Sequence, residues 1–349
     1  MSNISVIAVD LAKHKFQVHG YGPQDEQRFA KTLTRAAFEK LLREQPPCKL
    51  VMEACGSAHF WSRLALELGH QPSQLPAQFV KAFVIGNKTD RNDANAIHEA
   101  SKRPNVRPVP VKSVEQQDAM LPHLTRQRLL KTRLELTNQL RGVLRERGIA
   151  FAKGDAALRR GLRDLRDAEP TRELSPRLLA WVGQALEEWT ELEARLSGVE
   201  RQLQQDYRDS PRCRQLGELP GLGVLTATAV QARVTSVDSF PDSRAFASSL
   251  GLVPSEHSSG EKQRRGGIHR RGDPYLRLLF IHGGRSVVQS VLRKQRAGIV
   301  LDVFEEWVLG VYQRRGYNRA AVAVANKNAR IVWALLKTGE AYRKPPLAA

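Results

Sequence analysis

The stretch Ile4-Ser5-Val6-Ile7-Ala8-Val9-Asp10 is a short, mostly apolar run that ends on a carboxylate. Such a run is typical of a buried strand in a mixed or parallel sheet. Lys15–Tyr21 alternates well enough to predict a second strand, reached by a tight connection at Lys13-His14. A third strand is possible over residues 29–33. The sequence therefore predicts a sheet that starts near the N-terminus.

Helices and strands alternate after these three segments. The predicted order is helix, strand, helix, strand or strand–helix junction, and helix, at residues 36–45, 49–53, 59–68, 79–85 and from residue 89 or 90. The strand Lys49–Glu53 again ends on an acid. Strands and helices in this order predict an α/β domain, which we assign to residues 1–112.

Carboxylates lie at the ends of two predicted strands and at the start of a predicted helix. In Lys88-Thr89-Asp90-Arg91-Asn92-Asp93-Ala94, Asp90 and Asp93 share one helix face at i and i+3. Alone, this pair can be a solvated helix start, where capping and the helix dipole favour Asp. Asp10 and Glu53 each close a predicted strand, however, and ligands of such sheets lie outside strand ends. Four converging carboxylates need a divalent cation, so the set predicts a two-metal site holding Mg²⁺ or Mn²⁺.

The 349-residue chain carries a formal charge of +19, and this charge is unevenly placed. Residues 1–112 hold 16 Lys/Arg against 10 Asp/Glu, residues 113–206 hold 16 against 15, and residues 207–349 hold 23 against 11. A strongly basic C-terminal part predicts a polyanionic partner, and nucleic acid is the expected one. Cysteines without metal-binding spacing, and no signal peptide or long apolar run, predict a cytoplasmic protein.

Residues 113–206 contain two amphipathic helical patterns. The first stripe is made by Leu129, Leu136, Leu140 and Leu144. The second has near-heptad spacing and consists of Leu179, Val182, Leu186, Trp189, Leu192, Leu196, Val199 and Leu203. We expect an antiparallel helical pair, which either packs within the chain or makes an oligomer contact.

The segment Leu219-Pro220-Gly221-Leu222-Gly223-Val224 resembles a helix-hairpin-helix element. Gly221 and Gly223 allow close approach, and the N–H groups at a helix start can bind a phosphate. A plain turn between two helices has a similar sequence, so both interpretations stay open.

Residues 244–296 hold a glycine-rich basic loop, followed by a helix with Asp273 and Pro274 as predicted N-cap and first residue. Such a loop is suited to holding the DNA backbone, and the basic residues that would do so are Lys262, Arg264, Arg265, Arg270, Arg271 and Arg277. Ser258-Ser259-Gly260 lies in the same loop, although serines at such places are commonly turn formers.

Several motifs in order resemble a known family. Val-Asp-Leu-Ala-Lys near the N-terminus, Met-Glu-Ala-Cys-Gly after it, and Lys-Thr-Asp-Arg-Asn-Asp-Ala look like the Asp-Glu-Asp-Asp tetrad of RuvC-like, RNase H-fold insertion-sequence transposases of the IS110 type, with their IS1111 branch. The run Gly-Leu-Val-Pro, Ser-Ser-Gly and Gly-Gly-Ile-His-Arg-Arg-Gly-Asp is similar to the serine-containing transposase domain of that family.

The resemblance implies a RuvC-like domain over residues 1–112, a helical coiled-coil domain over residues 113–206, and a mostly helical transposase domain over residues 207–349. It also implies that a serine forms a covalent link to the DNA phosphate. By position this role falls to Ser259, with Ser258 as the alternative. Double-stranded DNA at donor and target sites, a structured guide RNA (a bridge RNA) and a dimer or tetramer are further implications.

The leading hypothesis is a bacterial DNA recombinase in which Ser259 attacks a scissile phosphate beside a metal held by Asp10, Glu53, Asp90 and Asp93. Because the acids and Ser259 fall on separate domains, the family resemblance allows a site shared between protomers. One alternative is a RuvC-like nuclease in which water is the nucleophile. Another is a non-catalytic nucleic-acid-binding protein with solvated carboxylates.

Overall fold

A computed structural model describes residues 3–85, 89–260, 262–269, 271–344 and 346–347, except for the side chains of Asp90 and Arg91. The chain divides into two compact units. The sheet unit contains the chain through Gln117 together with Val234–Asp242. The helical unit contains Asp118–Arg233 and the chain from Ser243 onward. The three domains expected from the sequence stay a prediction.

The sheet unit has a central mixed sheet with helices on its faces, which confirms the predicted α/β class. Its elements are β1 (Val6–Asp10), β2 (Lys15–Tyr21), β3 (Gln27–Thr34), α1 (Arg35–Glu44), β4 (Lys49–Glu53), α2 (Ala58–Glu67), β5 (Gln71–Leu75), α3 (Ala77–Val80), a 3-10 turn (Lys81–Phe83), α4 (Asp90–Ser101) and α5 (Val114–Asp118). The strand order is β3-β2-β1-β4-β5. Strands β1, β4 and β5 are parallel, and β2 is antiparallel to both of its neighbours.

One predicted strand is wrong. The sequence predicts a strand or a strand–helix junction over residues 79–85, but α3 and the 3-10 turn occupy most of this segment. The strand is instead β5, which precedes it and pairs in parallel with β4. Its apolar pattern is hidden because Ser73 and Gln74 are buried polar residues. The Gln74 amide donates to Ser62 Oγ at 2.9 Å, which offsets part of the cost of that burial.

Two apolar layers cover the two faces of the sheet. Ile7 and Val9 pack with the buried side chains of α1 and α2. Ala8 and Val51 lie on the opposite face, in a layer with Ile97 of α4. This division follows from the two-residue period of a strand, which sends successive side chains to opposite faces.

The helical unit consists almost entirely of helices. Its elements are α6 (Leu121–Arg145), α7 (Asp155–Arg166), α8 (Pro176–Asp209), α9 (Pro211–Gly217), α10 (Val224–Arg233), α11 (Ser243–Ser249), β6 (Pro254–Glu256), β7 (Arg265–Ile268), α12 (Pro274–Arg296), α13 (Val303–Arg315) and α14 (Tyr317–Thr338). Strands β6 and β7 form a short antiparallel hairpin. Within the described part of the chain, no helix is long and apolar enough to cross a membrane.

Helices α6 and α8 form the long pair that the amphipathic patterns predict. The ion pair between Arg126 and Glu200, at 3.0 Å, joins the start of α6 to the end of α8, so the two helices run antiparallel. Leu158 and Leu162 of α7 are fully buried in the same apolar cluster as the leucines of α6 and α8. The charged connector thus covers part of the seam between the two helices. A coiled coil that joins protomers stays a prediction.

Candidate active site and nucleic-acid interface

Asp10 and Glu53 lie at the ends of two neighbouring parallel strands. Strand β1 pairs with β4 from Val6↔Lys49 to Val9↔Met52, so the next pair in this register is Asp10 beside Glu53. Adjacent strands are about 4.8 Å apart, which brings the two backbones close together at this edge. Asp10 has the same parity as Ala8, and Glu53 the same as Val51, so both carboxylates belong to the face covered by α4.

Helix α4 runs antiparallel to these strands. Lys49 at the start of β4 donates to the carbonyl of Ser101, the last residue of α4, at 3.3 Å. Asp93 precedes Ser101 by about 12 Å along the helix, and Glu53 follows Lys49 by about 13 Å along the strand. The first turn of α4 therefore lies at the same end of the sheet as Asp10 and Glu53.

The predicted start of this helix is correct. Thr89 is the N-cap, and its hydroxyl accepts a hydrogen bond from the Asn92 N–H at 3.3 Å. Helix α4 then begins at Asp90, so Asp90 and Asp93 are one helical turn apart. The side chain of Asp90 and the preceding Lys88 lie outside the described residues.

The donor set at this end of the sheet fits a hard cation. Asp10, Glu53 and Asp93 are half-buried carboxylates, and Mg²⁺ prefers such oxygen ligands. Among the described residues, neither Glu53 nor Asp93 has an ion-pair partner. The carboxylate oxygens of these three residues do not all lie within 4.8 Å of one another. The described residues whose ligand atoms do lie that close together form a different cluster.

That other cluster consists of Asp25, His98 and Glu99. Lys102 forms ion pairs with both Asp25 and Glu99, so an ammonium group already supplies its cation. The hydrogen bond from Lys102 holds the pKa of the Asp25 carboxyl below its usual value. Burial lowers the pKa of His98, whose ring stacks on Tyr21 at 3.5 Å between centroids. This cluster is a structural ion-pair network, and no motif in the sequence predicted it.

The two serines lie at the tip of the hairpin formed by β6 and β7. Ser259 and Lys262 exchange backbone hydrogen bonds of 3.3 and 3.2 Å, which closes a tight turn. The Ser258 hydroxyl donates to Glu256 Oε1 at 2.7 Å and accepts from the Arg264 N–H at 3.2 Å. No described residue hydrogen-bonds the hydroxyl of Ser259, which is exposed.

The predicted backbone-binding cations fall into two groups. Lys262, Arg264 and Arg265 are exposed on the hairpin, and Arg271 is exposed just beyond it. Arg277 instead donates to the carbonyl oxygens of Leu250 and Arg271, at 3.2 and 3.1 Å, and so supports the loop. Arg270 lies outside the described residues.

Asp273 is the N-cap of α12, as predicted, with its carboxylate accepting from the Tyr275 and Leu276 N–H groups at 2.9 and 3.0 Å. Its other oxygen accepts from Arg233 at 2.6 Å. The base of the basic loop is thereby fixed to α10 and α12.

The two glycines of the predicted helix-hairpin-helix element have different surroundings. Gly221 has φ +89°, and a Cβ there would lie 2.9 Å from the carbonyl oxygen of Gly283 in α12. Its close approach is therefore to protein backbone. Gly223 faces open space and accepts hydrogen bonds from the Thr226 and Ala227 N–H groups at the start of α10.

Comparison with known proteins identifies the family. Residues 213–297 match the model of the Transposase IS116/IS110/IS902 family. Residues 7–148 match a second family model, that of the DEDD transposase of IS110 elements. A probable family 20 transposase of Pseudomonas aeruginosa is 44% identical over 346 residues, which cover 98% of this chain and 99% of that protein. The transposase for insertion sequence element IS1111A of Coxiella burnetii is 36% identical, over 98% of this chain and 92% of that one. The transposase for insertion sequence element IS1328 of Yersinia enterocolitica is 33% identical, over 99% of this chain and 100% of that protein.

The chain therefore belongs to the DEDD insertion-sequence transposases of the IS110 family. The resemblance stated from the sequence motifs is confirmed. A transposase acts on DNA, which agrees with the charge of +19.

Proposed function

We propose that the sheet unit is an RNase H-like, RuvC-like domain whose Asp10, Glu53, Asp90 and Asp93 hold Mg²⁺ or Mn²⁺. The strand order with an antiparallel β2, and the acids that close β1 and β4, support this proposal. The bound cation would supply charge neutralisation at the phosphate and a lower pKa for the attacking hydroxyl. The ends of β1 and β4 and the first turn of α4 bring the backbone of these acidic residues to one end of the sheet.

The nucleophile in this proposal is the Ser259 hydroxyl. Its oxygen attacks the scissile phosphorus and loses its proton, while the bond from phosphorus to the leaving deoxyribose oxygen breaks and that oxygen gains a proton. One phosphate ester replaces another, so the bond energy is kept in a phosphoserine link. The hydroxyl of a second strand then reverses the step and completes strand exchange.

The observation that carries the proposal is the exposed Ser259 hydroxyl at the tip of a cationic hairpin, in a chain of this transposase family. Ser258 is a weaker candidate because Glu256 and the Arg264 backbone already engage its hydroxyl. Lys262, Arg264, Arg265 and Arg271 would hold the DNA backbone, and positive charge there would stabilise the transition state.

The proposal also includes the three domains with boundaries after residues 112 and 206, double-stranded DNA at donor and target sites, and a structured guide RNA. A dimer or tetramer built on the coiled-coil segment is part of it. The helical pair α6–α8 and the excess of 12 positive charges over residues 207–349 support these expectations, together with the family resemblance.

The decisive experiment compares Ser259→Ala with Ser258→Ala on a labelled DNA substrate carrying the element's ends. We expect the parent protein and Ser258→Ala to form a covalent protein–DNA species on a denaturing gel. Ser259→Ala should form none and should lose at least about a thousandfold in cleavage, since the nucleophile is removed.

Cleavage by Ser259→Ala at the parent rate, without a covalent species in either protein, would instead establish the hydrolytic RuvC-like nuclease. A covalent species that is lost only in Ser258→Ala would transfer the nucleophile to Ser258.

A further inference from the structure

A groove of about 1020 Å³ runs along α14 in the helical unit, with β7 forming part of its wall. Gly266 and Gly267 of β7 line this groove. Gly267 faces open space, so the groove is not narrowed by a side chain at this position. Leu252, Ile268 and Ile331 contribute apolar surface. None of these residues takes part in the chemistry proposed for Ser259.

The ionisable residues of this groove are all cationic. Arg319, Lys327 and Arg330 line it, and no Asp or Glu is among its described lining residues. Burial lowers the pKa of Lys327, and the charge of Arg330 adds to this effect. The groove therefore pairs an apolar floor with positive charge that no described lining carboxylate neutralises.

Aromatic and amide groups complete the lining. The Lys327 ammonium lies 4.2 Å from the ring centroid of Trp307 and so is held beside the groove by a cation–π contact. Asn318 adds an amide that can hydrogen-bond the edge of a base, whereas the Asn326 amide donates to the Leu252 carbonyl at 3.2 Å. A flat, partly apolar ring joined to a phosphate has the chemistry that matches all three kinds of lining group.

The hairpin that carries Ser259 at its tip lines part of the groove, through Pro254 and Gly266–Ile268. Gly266 follows Lys262 at the turn by four residues, or about 13 Å along a strand. This distance corresponds to about four nucleotide steps of one DNA strand at 3.4 Å each. A base inside a duplex cannot enter such a groove without leaving the stack.

We propose that this groove binds an unpaired nucleotide of the DNA strand, with the base on the apolar floor and its phosphate near Arg319 and Arg330. The groove would hold a strand that has been opened close to the cleaved phosphate. This inference rests on the proposed DNA-cleaving role of the hairpin, but it concerns binding and requires no reaction at Ser259.

The test measures binding of two labelled oligonucleotides to the full-length protein by fluorescence anisotropy. One is the thymidine octadeoxynucleotide, and the other is the same sugar–phosphate octamer without bases. We expect the protein to bind the first at least about tenfold more tightly, as stacked bases require. Ala323→Leu, which fills the groove without a change of charge, should remove this preference and leave binding of the base-free octamer unchanged.

Charge variants provide the matched comparison. Arg330→Gln, within the groove, should weaken binding of both octamers and lower the salt dependence of binding by about 0.7 in log–log slope. Arg293→Gln removes the same charge from an exposed position that does not line the groove, and it should change neither the base preference nor the slope.

Equal binding of the two octamers by the parent protein, or a base preference that survives Ala323→Leu, would overturn the proposal. Tighter binding of the uridine ribo-octamer, also lost in Ala323→Leu, would overturn the assignment to DNA. Repeating the measurement with Ser259→Ala separates the two proposals. A failed serine mechanism leaves the base preference intact, and a failed groove leaves the covalent protein–DNA species intact.

Discussion

At the scale of single residues, Asp93 and Asp25 are both carboxylates of the sheet unit, but they differ in whether a basic side chain pairs with them. Asp25 is paired with Lys102, whereas Asp93 has no ion-pair partner among the described residues. A carboxylate already neutralised by an ammonium group has little to gain from a metal ion, because the metal would have to displace that ammonium.

We therefore expect Asp93→Asn to abolish tight Mn²⁺ binding and Asp25→Asn to leave it unchanged, as measured by isothermal titration calorimetry. Both substitutions remove one negative charge, so a general electrostatic effect would weaken binding equally. Retained binding in Asp93→Asn, or loss in Asp25→Asn, would exclude the sheet end as the metal site.

The roles of individual glycines and serines could not be read from the sequence. Gly221 was a candidate phosphate-binding residue, but its positive φ and its distance to Gly283 depend on how α10 packs on α12. Ser258 and Ser259 are adjacent and chemically identical. Their difference arises from the pairing of the hairpin, which directs the Ser258 hydroxyl to Glu256 and the Arg264 backbone.

At the scale of elements, the hairpin of β6 and β7 concentrates positive charge within a few residues. If Lys262, Arg264 and Arg265 each neutralise a DNA phosphate, each releases a condensed counterion on binding. The triple replacement of these residues by Gln should then lower the slope of log affinity against log salt by about 2.7 for duplex DNA.

The measurement is duplex binding at several salt concentrations, and the control is the same triple replacement at Arg160, Arg177 and Arg201. These are exposed residues of α7 and α8, with the same total change of charge. An equal change of slope in both variants would show that net charge, and not the hairpin, sets the affinity.

Elements with strong local signals were predicted well. Strands β1, β2 and β4 and the capped starts of α4 and α12 agree with the sequence, because apolar runs and N-cap residues act locally. Strand β5 was missed because its buried polar side chains are satisfied by partners from other elements. The groove beside α14 was also invisible, since Trp307 and Lys327 meet only when α13 packs on α14.

At the scale of the whole molecule, part of the acid sensitivity should come from His123, which is fully buried on α6. Its ring shares a hydrogen bond of 2.9 Å with the Tyr275 hydroxyl. Burial, aided by the charges of Arg233 and Arg126, lowers its pKa to about 4. The unfolded chain takes up a proton below its ordinary value of 6.5, while the folded chain excludes it.

The contribution of neutral His123 to stability is therefore complete above pH 6.5 and is lost as the pH falls towards 4, by about 2 kcal/mol at pH 5. His123→Gln should remove this part of the pH dependence, as measured by urea unfolding at pH 7 and pH 5 with tryptophan fluorescence. His14→Gln, at an exposed position, is the control and should behave as the parent does. The same pH dependence in His123→Gln and the parent would show that other groups are responsible.

The antiparallel placement of α4 on the sheet has a consequence for how the family can vary in length. The helix is fastened at its far end, where Lys49 binds the carbonyl of Ser101, and along its apolar side by Ile97 and its neighbours. Extra residues before Thr89 would precede the helix and leave Asp93 where it is. One extra residue between Asp93 and Ile97 would turn Asp93 by about 100° away from the sheet. Insertions should therefore be tolerated on one side of the acids and forbidden on the other.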